Sequence, residues 1–270
     1  MRKIDAFDFQ IFSGKLGLAV FFNGFYYLKW FEYPLVYNNL GFQAGERYLD
    51  IGSGKSIFPL FVLINSKCIV HTIDDQSIIE GTISYYKNTI KIMKLSSIAG
   101  DRFFIHSATK GAVQYEFDDN YFDKISCISV LEHIRNNGDS LLMATISRIL
   151  KKGGRAVISF PFNNGDYIEE ESPPGIGYFQ RKYNIIEIQR RIIQPANLRV
   201  KKVIYFGERF ASFGKLYLAN KFNRINWFLP LFSPLFWKVC HSYEDEFHNF
   251  HERDLDKKNI GVVCIVFEKE

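Results

Sequence analysis

RYLDIGSGKS, Arg47 to Ser56, runs an apolar strand directly into an acidic, glycine-rich turn. Tyr48, Leu49 and Ile51 supply the buried strand, and Gly52 and Gly54 permit backbone angles and a close approach that a side chain would block. A phosphate cradle requires four spacer residues before its Gly-Lys-Ser, whereas Lys55-Ser56 follows Gly54 with the wrong spacing. A dinucleotide fingerprint wants a third small residue where Ile57 stands, and it does not normally carry an acid two residues before its first glycine. What remains is Asp50, an acid placed to attract a cation beside a tight turn.

This turn resembles the first motif of class I S-adenosylmethionine-dependent methyltransferases, acid-x-Gly-x-Gly-x-Gly. Asp50, Gly52 and Gly54 match it, and Ser56 replaces the last glycine. The resemblance extends over residues 45 to 165. CIVHTIDDQ, Cys68 to Gln76, reads as a second buried strand ending in acids, and a carboxylate at a strand's end accepts ribose hydroxyls. The resemblance assigns that task to Asp74, with Asp75 standing where the family more often has an apolar residue against adenine. RFFIHSATK, Arg102 to Lys110, offers only Ser107 or Thr109 where an acid usually touches the adenine amine. FDDNYFDKISCISVLEHI, Phe117 to Ile134, is similar to the fourth-strand signature of the small-molecule, type 11-like branch. ILKKGGRAVISFPF, Ile149 to Phe162, reads as helix end, glycine turn and fifth strand.

The implied fold is α/β: a Rossmann-like sheet of seven strands, the last antiparallel, in a single methyltransferase domain. Its expected parts are a helical amino-terminal cap (1–44), a cofactor-binding core (45–165), a substrate loop, helix and sixth strand (166–207), a cap insert (208–258) and the last strand (259–270). The implied cofactor is S-adenosylmethionine, met by Asp50, Gly52, Ser53, Gly54, Asp74, Asp75, Ser107 and Ser129. In-line transfer from the sulfonium mainly needs an acceptor held in place and water excluded. A hydroxyl acceptor also needs a general base, for which an imidazole suits neutral pH. His133 is the candidate, with Glu132 as its orienting partner. Relatives that methylate catechol-like hydroxyls hold a divalent metal near this point, but Ser129 stands where a further acid would serve, so no metal is expected.

Composition agrees with this reading. A chain of 270 residues with 47% hydrophobic and 23% charged residues can bury a full α/β core. The net charge of +5 is mild and the basic residues are scattered among 29 acids, so nucleic acid is not an expected partner. Four cysteines stand far apart, three of them in apolar runs, as in a reducing cytoplasm. Arg2 and Lys3 are interrupted by Asp5 and Asp8, the apolar run from Leu16 to Phe22 is short, and no stretch reaches the length of a membrane span. The expected location is the cytoplasm, with contact at the inner membrane surface as an option.

Three segments outside the core are candidates for acceptor recognition. In the first, Phe31 to Leu40, Pro34 is placed to open a helix, and Glu32 and Tyr33 are the polar residues facing an acceptor, unless the segment only packs on the sheet. The second, Asn163 to Tyr183, offers Tyr178, Gln180, Arg181 and Tyr183 on a loop. The third separates the strands Leu198 to Phe206 and Asn259 to Lys269 by about fifty residues, where the family commonly has a hairpin. Its centre, Trp227 to Trp237, is aromatic and suits core packing, a membrane interface or an apolar acceptor. The acidic stretch after it, with His241, His248 and His251, reads as a solvated helix. The favoured activity is O-methylation of a small molecule, glycan or lipid-linked intermediate. N-methylation, an inactive partner protein of the same fold and a membrane-surface adaptor are the alternatives.

Overall fold

A computed structural model describes residues 2–15, 29–108, 115–171, 179–208, 240–245 and 260–270. Its centre is a sheet in the order β3-β2-β1-β4-β5-β10-β8-β9. The strands are β1 (Arg47–Ile51), β2 (Ile69–Asp75), β3 (Phe103–Ala108), β4 (Phe122–Ile128), β5 (Leu150–Pro161), β8 (Arg199–Glu208), β9 (Cys240–Asp245) and β10 (Ile260–Glu268). The five strands from β3 to β5 run parallel, while β10 is antiparallel to both of its neighbours, β5 and β8. The seven strands expected from the sequence are all present. The eighth, β9, comes from the long insert and pairs antiparallel with β8.

The central strands are apolar on both faces because helices cover both, as parallel sheets require. On one face lie α1 (Ala6–Lys15), α2 (Lys29–Leu40) and α3 (Phe58–Ser66). Phe9 of α1 stacks on Phe61 at 3.9 Å and meets Tyr33 of α2 at 5.6 Å, so the amino-terminal helices join the core through the helix that follows the glycine turn. Proline in the first turn starts α3, and a left-handed Lys67 ends it. The α4 helix (Ile79–Ile92) follows β2. On the other face, α5 (Gly138–Ile149) packs with a helical run whose middle, Ile188–Ile193, is a π-turn.

Several expectations are corrected here. Pro34 does not open α2, which already runs from Lys29; the proline sits inside it, giving up one backbone hydrogen bond. The segment after β5 is not simply a loop, because Ile168–Glu171 (β6) and Phe179–Lys182 (β7) form an antiparallel ladder. Cys240–Asp245, at the start of the stretch expected as a charged helix, is a strand. An edge strand tolerates its acids. Thr109, Tyr178, Trp227 to Trp237, His248 and His251 lie outside the described residues. No described helix is long and apolar enough to cross a membrane.

Neighbouring strands β2 and β3 carry a histidine pair, with His71 Nδ1 2.9 Å from His106 Nε2. Burial, then His106 and Arg47, push the His71 imidazole down to about 4. A histidine held neutral in the fold binds fewer protons than in the unfolded chain. Its contribution is therefore complete above the unfolded value near 6.5 and is lost as pH falls toward 4. Urea denaturation should show stability dropping through this window, with a shallower drop in His71→Phe; equal slopes would remove His71 as the cause.

Candidate active site

The order of the parallel strands reverses between β1 and β4, which opens a crevice beyond their carboxyl ends. The turn after β1 forms one wall. Gly52 has φ +68° and donates its N–H to Ile73 O at 2.8 Å, binding the turn to β2. A Cβ on Gly52 would lie 2.5 Å from Val130 Cγ2, so glycine is required for the close approach of the two strand ends. Gly54 also has positive φ, but a Cβ there would meet nothing within 4 Å, so the turn has open space in front of it.

Asp74 is buried at the end of β2 and closes onto this turn. Its carboxylate accepts from Gly54 N at 3.1 and 3.0 Å and from Ser53 Oγ at 3.1 Å. Burial raises its pKa against the opposing pull of the Gly54 N–H. Asp75 accepts from Ser77 N at 2.8 Å and shapes the turn into α4. Ser107 is exposed on β3, in register with Asp74. Ser56, the residue in place of the third glycine, is a tie point: its Oγ lies 3.0 Å from Tyr33 OH and accepts from Phe58 N at 3.0 Å. A glycine could make neither contact.

Asp50 is 3% exposed. Its Oδ1 accepts from Ser126 Oγ of β4, which in turn lies 2.5 Å from Tyr48 OH. Burial pushes the Asp50 carboxyl up to about 7, with Asp74 adding to the rise and the Ser126 hydroxyl opposing it. A carboxyl poised at neutrality becomes the anion once a cation arrives beside it.

The opposite wall follows β4. Ser129 adopts φ +54° and stands beside the 3-10 turn Leu131–His133. His133 Nδ1 is 2.8 Å from Phe179 O, a contact that requires Nδ1 to donate and leaves the lone pair of the neutral ring on Nε2. Nε2 is 3.9 Å from Glu132 Oε1. Glu132 is buried, and burial pushes its carboxyl up to about 8, so at neutral pH it is mostly the uncharged acid. Both walls face one cavity of about 500 Å³, lined by Lys29, Tyr33, Asp50 to Ser53, Lys55, Ser56, Ile128, Ser129 and His133.

Of the residues expected from the sequence, the cavity brings together Asp50, Gly52, Ser53, Ser129, Tyr33 and His133, with Glu32 and Glu132 immediately behind its walls. Gly54, Asp74, Asp75, Ser107, Gln180, Arg181 and Tyr183 do not line it. Arg181 is 1% exposed and donates to Glu169 at 2.9 Å, Asn136 O at 2.6 Å and Ile134 O. Tyr183 OH donates to Asp139 Oδ2 at 2.9 Å. These two side chains hold the loop after His133 from behind, a correction to their reading as acceptor ligands: a guanidinium is buried only with its donors matched. The residue missed is Lys29. Its ammonium bridges Glu32 at 2.5 Å and Ser129 Oγ at 2.8 Å, a link across one hundred residues of chain that no local pattern announces. Among the described residues no cluster of three or more acids, histidines or cysteines could hold a metal.

A family model described as a methyltransferase domain matches residues 49–158. No curated protein sequence matches the chain. Among solved structures, phosphoethanolamine N-methyltransferase 2 of Haemonchus contortus, with S-adenosyl-L-methionine, is 16% identical at a TM-score of 0.50. That alignment covers 89% of this chain and 52% of the other, so the chain spans about half of that protein's length. The 1,6-didemethyltoxoflavin-N1-methyltransferase of Burkholderia thailandensis, with S-adenosylhomocysteine, is 13% identical at 0.54, covering 88% of this chain and 76% of the other. Geranyl diphosphate C-methyltransferase of Streptomyces coelicolor A3(2) is 12% identical at 0.53, covering 88% and 75%. With its switch-point turn, its parallel half-sheet and its antiparallel β10, the chain has the class I methyltransferase fold, and the match to the methyltransferase-domain model lies over residues 49–158 of it.

Proposed function

We infer that the chain transfers the methyl group of S-adenosylmethionine to a hydroxyl of a small molecule, glycan or lipid-linked intermediate. The observation that carries this reading is the shared cavity: the glycine turn and a base-capable imidazole face the same space. The turn fits the donor, because Gly52 admits no Cβ, the space before Gly54 is open, and Asp50 is a buried carboxyl that a nearby cation would ionise. Asp74 keeps accepting capacity for ribose hydroxyls, since each carboxylate oxygen carries two lone pairs. When bound, S-adenosylmethionine supplies an electrophilic methyl group on sulfur. The protein's own work is to orient the acceptor, exclude water and remove a proton.

His133 is the proton acceptor in this reading. The Phe179 carbonyl fixes its tautomer and aims Nε2, and Glu132 stands beside it as a neutral acid that ionises as the imidazole gains charge. An amine acceptor is the second reading, since two of the similar structures named above are N-methyltransferases and an ammonium would lose its proton to the same imidazole.

Isothermal titration with S-adenosylmethionine and S-adenosylhomocysteine should give micromolar binding. Affinity should fall by more than about tenfold in Asp50→Ala and Asp74→Ala, the scale of a lost charge-assisted contact. With an acceptor found by screening, His133→Ala should keep donor affinity and lose about 10²- to 10⁴-fold in kcat. Absence of binding to the wild type would sink the methyl-transfer reading.

A further inference from the structure

A carboxylate stands directly behind one wall of the cavity. Glu32 is 2% exposed, yet both of its oxygens are engaged by cavity-lining groups: Oε2 by Lys29 Nζ at 2.5 Å, and Oε1 by the Ser129 hydroxyl at 3.2 Å. Lys29 Nζ also donates to Ser129 Oγ at 2.8 Å, so lysine and serine form one two-point grip. Ser129 makes its contacts from φ +54°, a conformation that L side chains rarely adopt. The grip lines the cavity, whereas Glu32 reaches it from behind on α2.

The charge around the cavity favours an incoming anion. Lys29 and Lys55 line it against one acid, Asp50, which is partly protonated near neutrality. The groups acting on Lys29 are Glu32, Tyr33 and Glu132, and Lys29 in turn acts on Asp50. Glu132 is mostly uncharged at neutral pH, and its buried Oε2 has no hydrogen-bond partner among the described residues. Among the described residues Glu32 is the acid that Lys29 touches directly, at 2.5 Å, and it competes with any ligand anion for the same donors.

We propose that Lys29 and Ser129 form an anion subsite that receives a carboxylate or phosphate oxygen of a bound ligand, and that Glu32 is its resident occupant, displaced when the ligand enters. The methyl-transfer reading bears only on which molecule brings the anion: the aminoacyl tail of the donor or an acidic group of the acceptor. The subsite itself stands on the geometry.

The test titrates wild type, Lys29→Met, Lys29→Arg and Glu32→Gln with S-adenosylhomocysteine and with 5′-methylthioadenosine, which keeps the adenosine and sulfur but lacks the carboxylate. Sodium acetate and inorganic phosphate, followed by thermal shift on the methylthioadenosine-loaded and the free protein, are the small-anion probes. Removing the resident carboxylate should raise affinity for the anion-bearing ligand about tenfold while lowering the melting temperature of the free protein. Lys29→Met should lower that affinity about tenfold, with Lys29→Arg restoring most of it. An ion pair with only a structural role would instead make Glu32→Gln weaken binding and stability together. If the opposed signs appear with S-adenosylhomocysteine and not with methylthioadenosine, the donor tail fills the subsite. If they appear only with acetate or phosphate, the acceptor fills it. Failure of the wild type to bind either adenosine ligand would overturn the methyl-transfer reading and leave the anion arm intact. Indifference of every anion to Lys29→Met and Glu32→Gln would overturn the subsite.

Discussion

Gly52→Ala is expected to abolish donor binding and to destabilise the fold by about 2–4 kcal/mol, from left-handed strain together with overpacking. The added methyl would sit 2.5 and 2.8 Å from the two Cγ atoms of Val130 and 3.2 Å from its Cβ. Rotating the valine cannot relieve a contact that includes Cβ, so β1 and β4 must separate at their carboxyl ends. That separation loosens the β1–β4 pairing at Ile51 and Cys127 and widens the floor of the cavity. Gly54→Ala is the control. It shares the positive φ but has open space around the new Cβ, so it should lose only about 1 kcal/mol. Guanidinium denaturation and donor titration of the two variants measure the difference; equal losses would show that Val130 yields.

Asp139→Ala is the second large effect, with an expected loss of about 3–5 kcal/mol, the scale for removing one partner of a buried ion pair. Asp139 is fully buried at the start of α5 and accepts from Arg191 Nε and Nη2 at 2.8 Å each and from Tyr183 OH at 2.9 Å. Arg181 Nη1 stands 3.6 Å away. Without the carboxylate, two guanidiniums face each other with Glu169 as the remaining acid partner of Arg181. The damage should reach the site, because Arg181 also holds the carbonyls of Ile134 and Asn136 just after His133. Thermal denaturation should show the double variant Asp139→Ala/Arg191→Met recovering part of the loss, since it removes a stranded cation. Additive losses would exclude charge stranding as the mechanism.

The parallel half of the sheet was legible because each strand is a short apolar run bounded by glycine or acid, a pattern that β1, β2, β4 and β5 all display. The glycine turn, Asp50, Asp74 and Leu131-Glu132-His133 were legible for the same reason, being placed by strand ends. Lys29 was not, since its partner Ser129 is brought to it only by the packing of α2 on the sheet. Arg181 and Tyr183 misled because a polar residue on a predicted loop suggests exposure, whereas β7 turns both inward to Asp139. Cys240–Asp245 misled because its charges suit a solvated helix as well as a sheet edge, and pairing with β8 decides between them.

β8 also sets the timing of assembly during synthesis. Its apolar run Val203 to Phe206 finds its partners in β9 and β10, and both emerge from the ribosome later than β8 itself. About fifty residues separate the end of β8 from β10, which at ordinary elongation speeds is an interval of roughly 3–10 s. Throughout that interval the strands from β1 to β5 can pair with one another, while the outer edge of β5 and the backbone of β8 both wait for β10. β10 is therefore the strand that completes both halves at once, and neither half has closed its inner edge until the chain is made to residue 268.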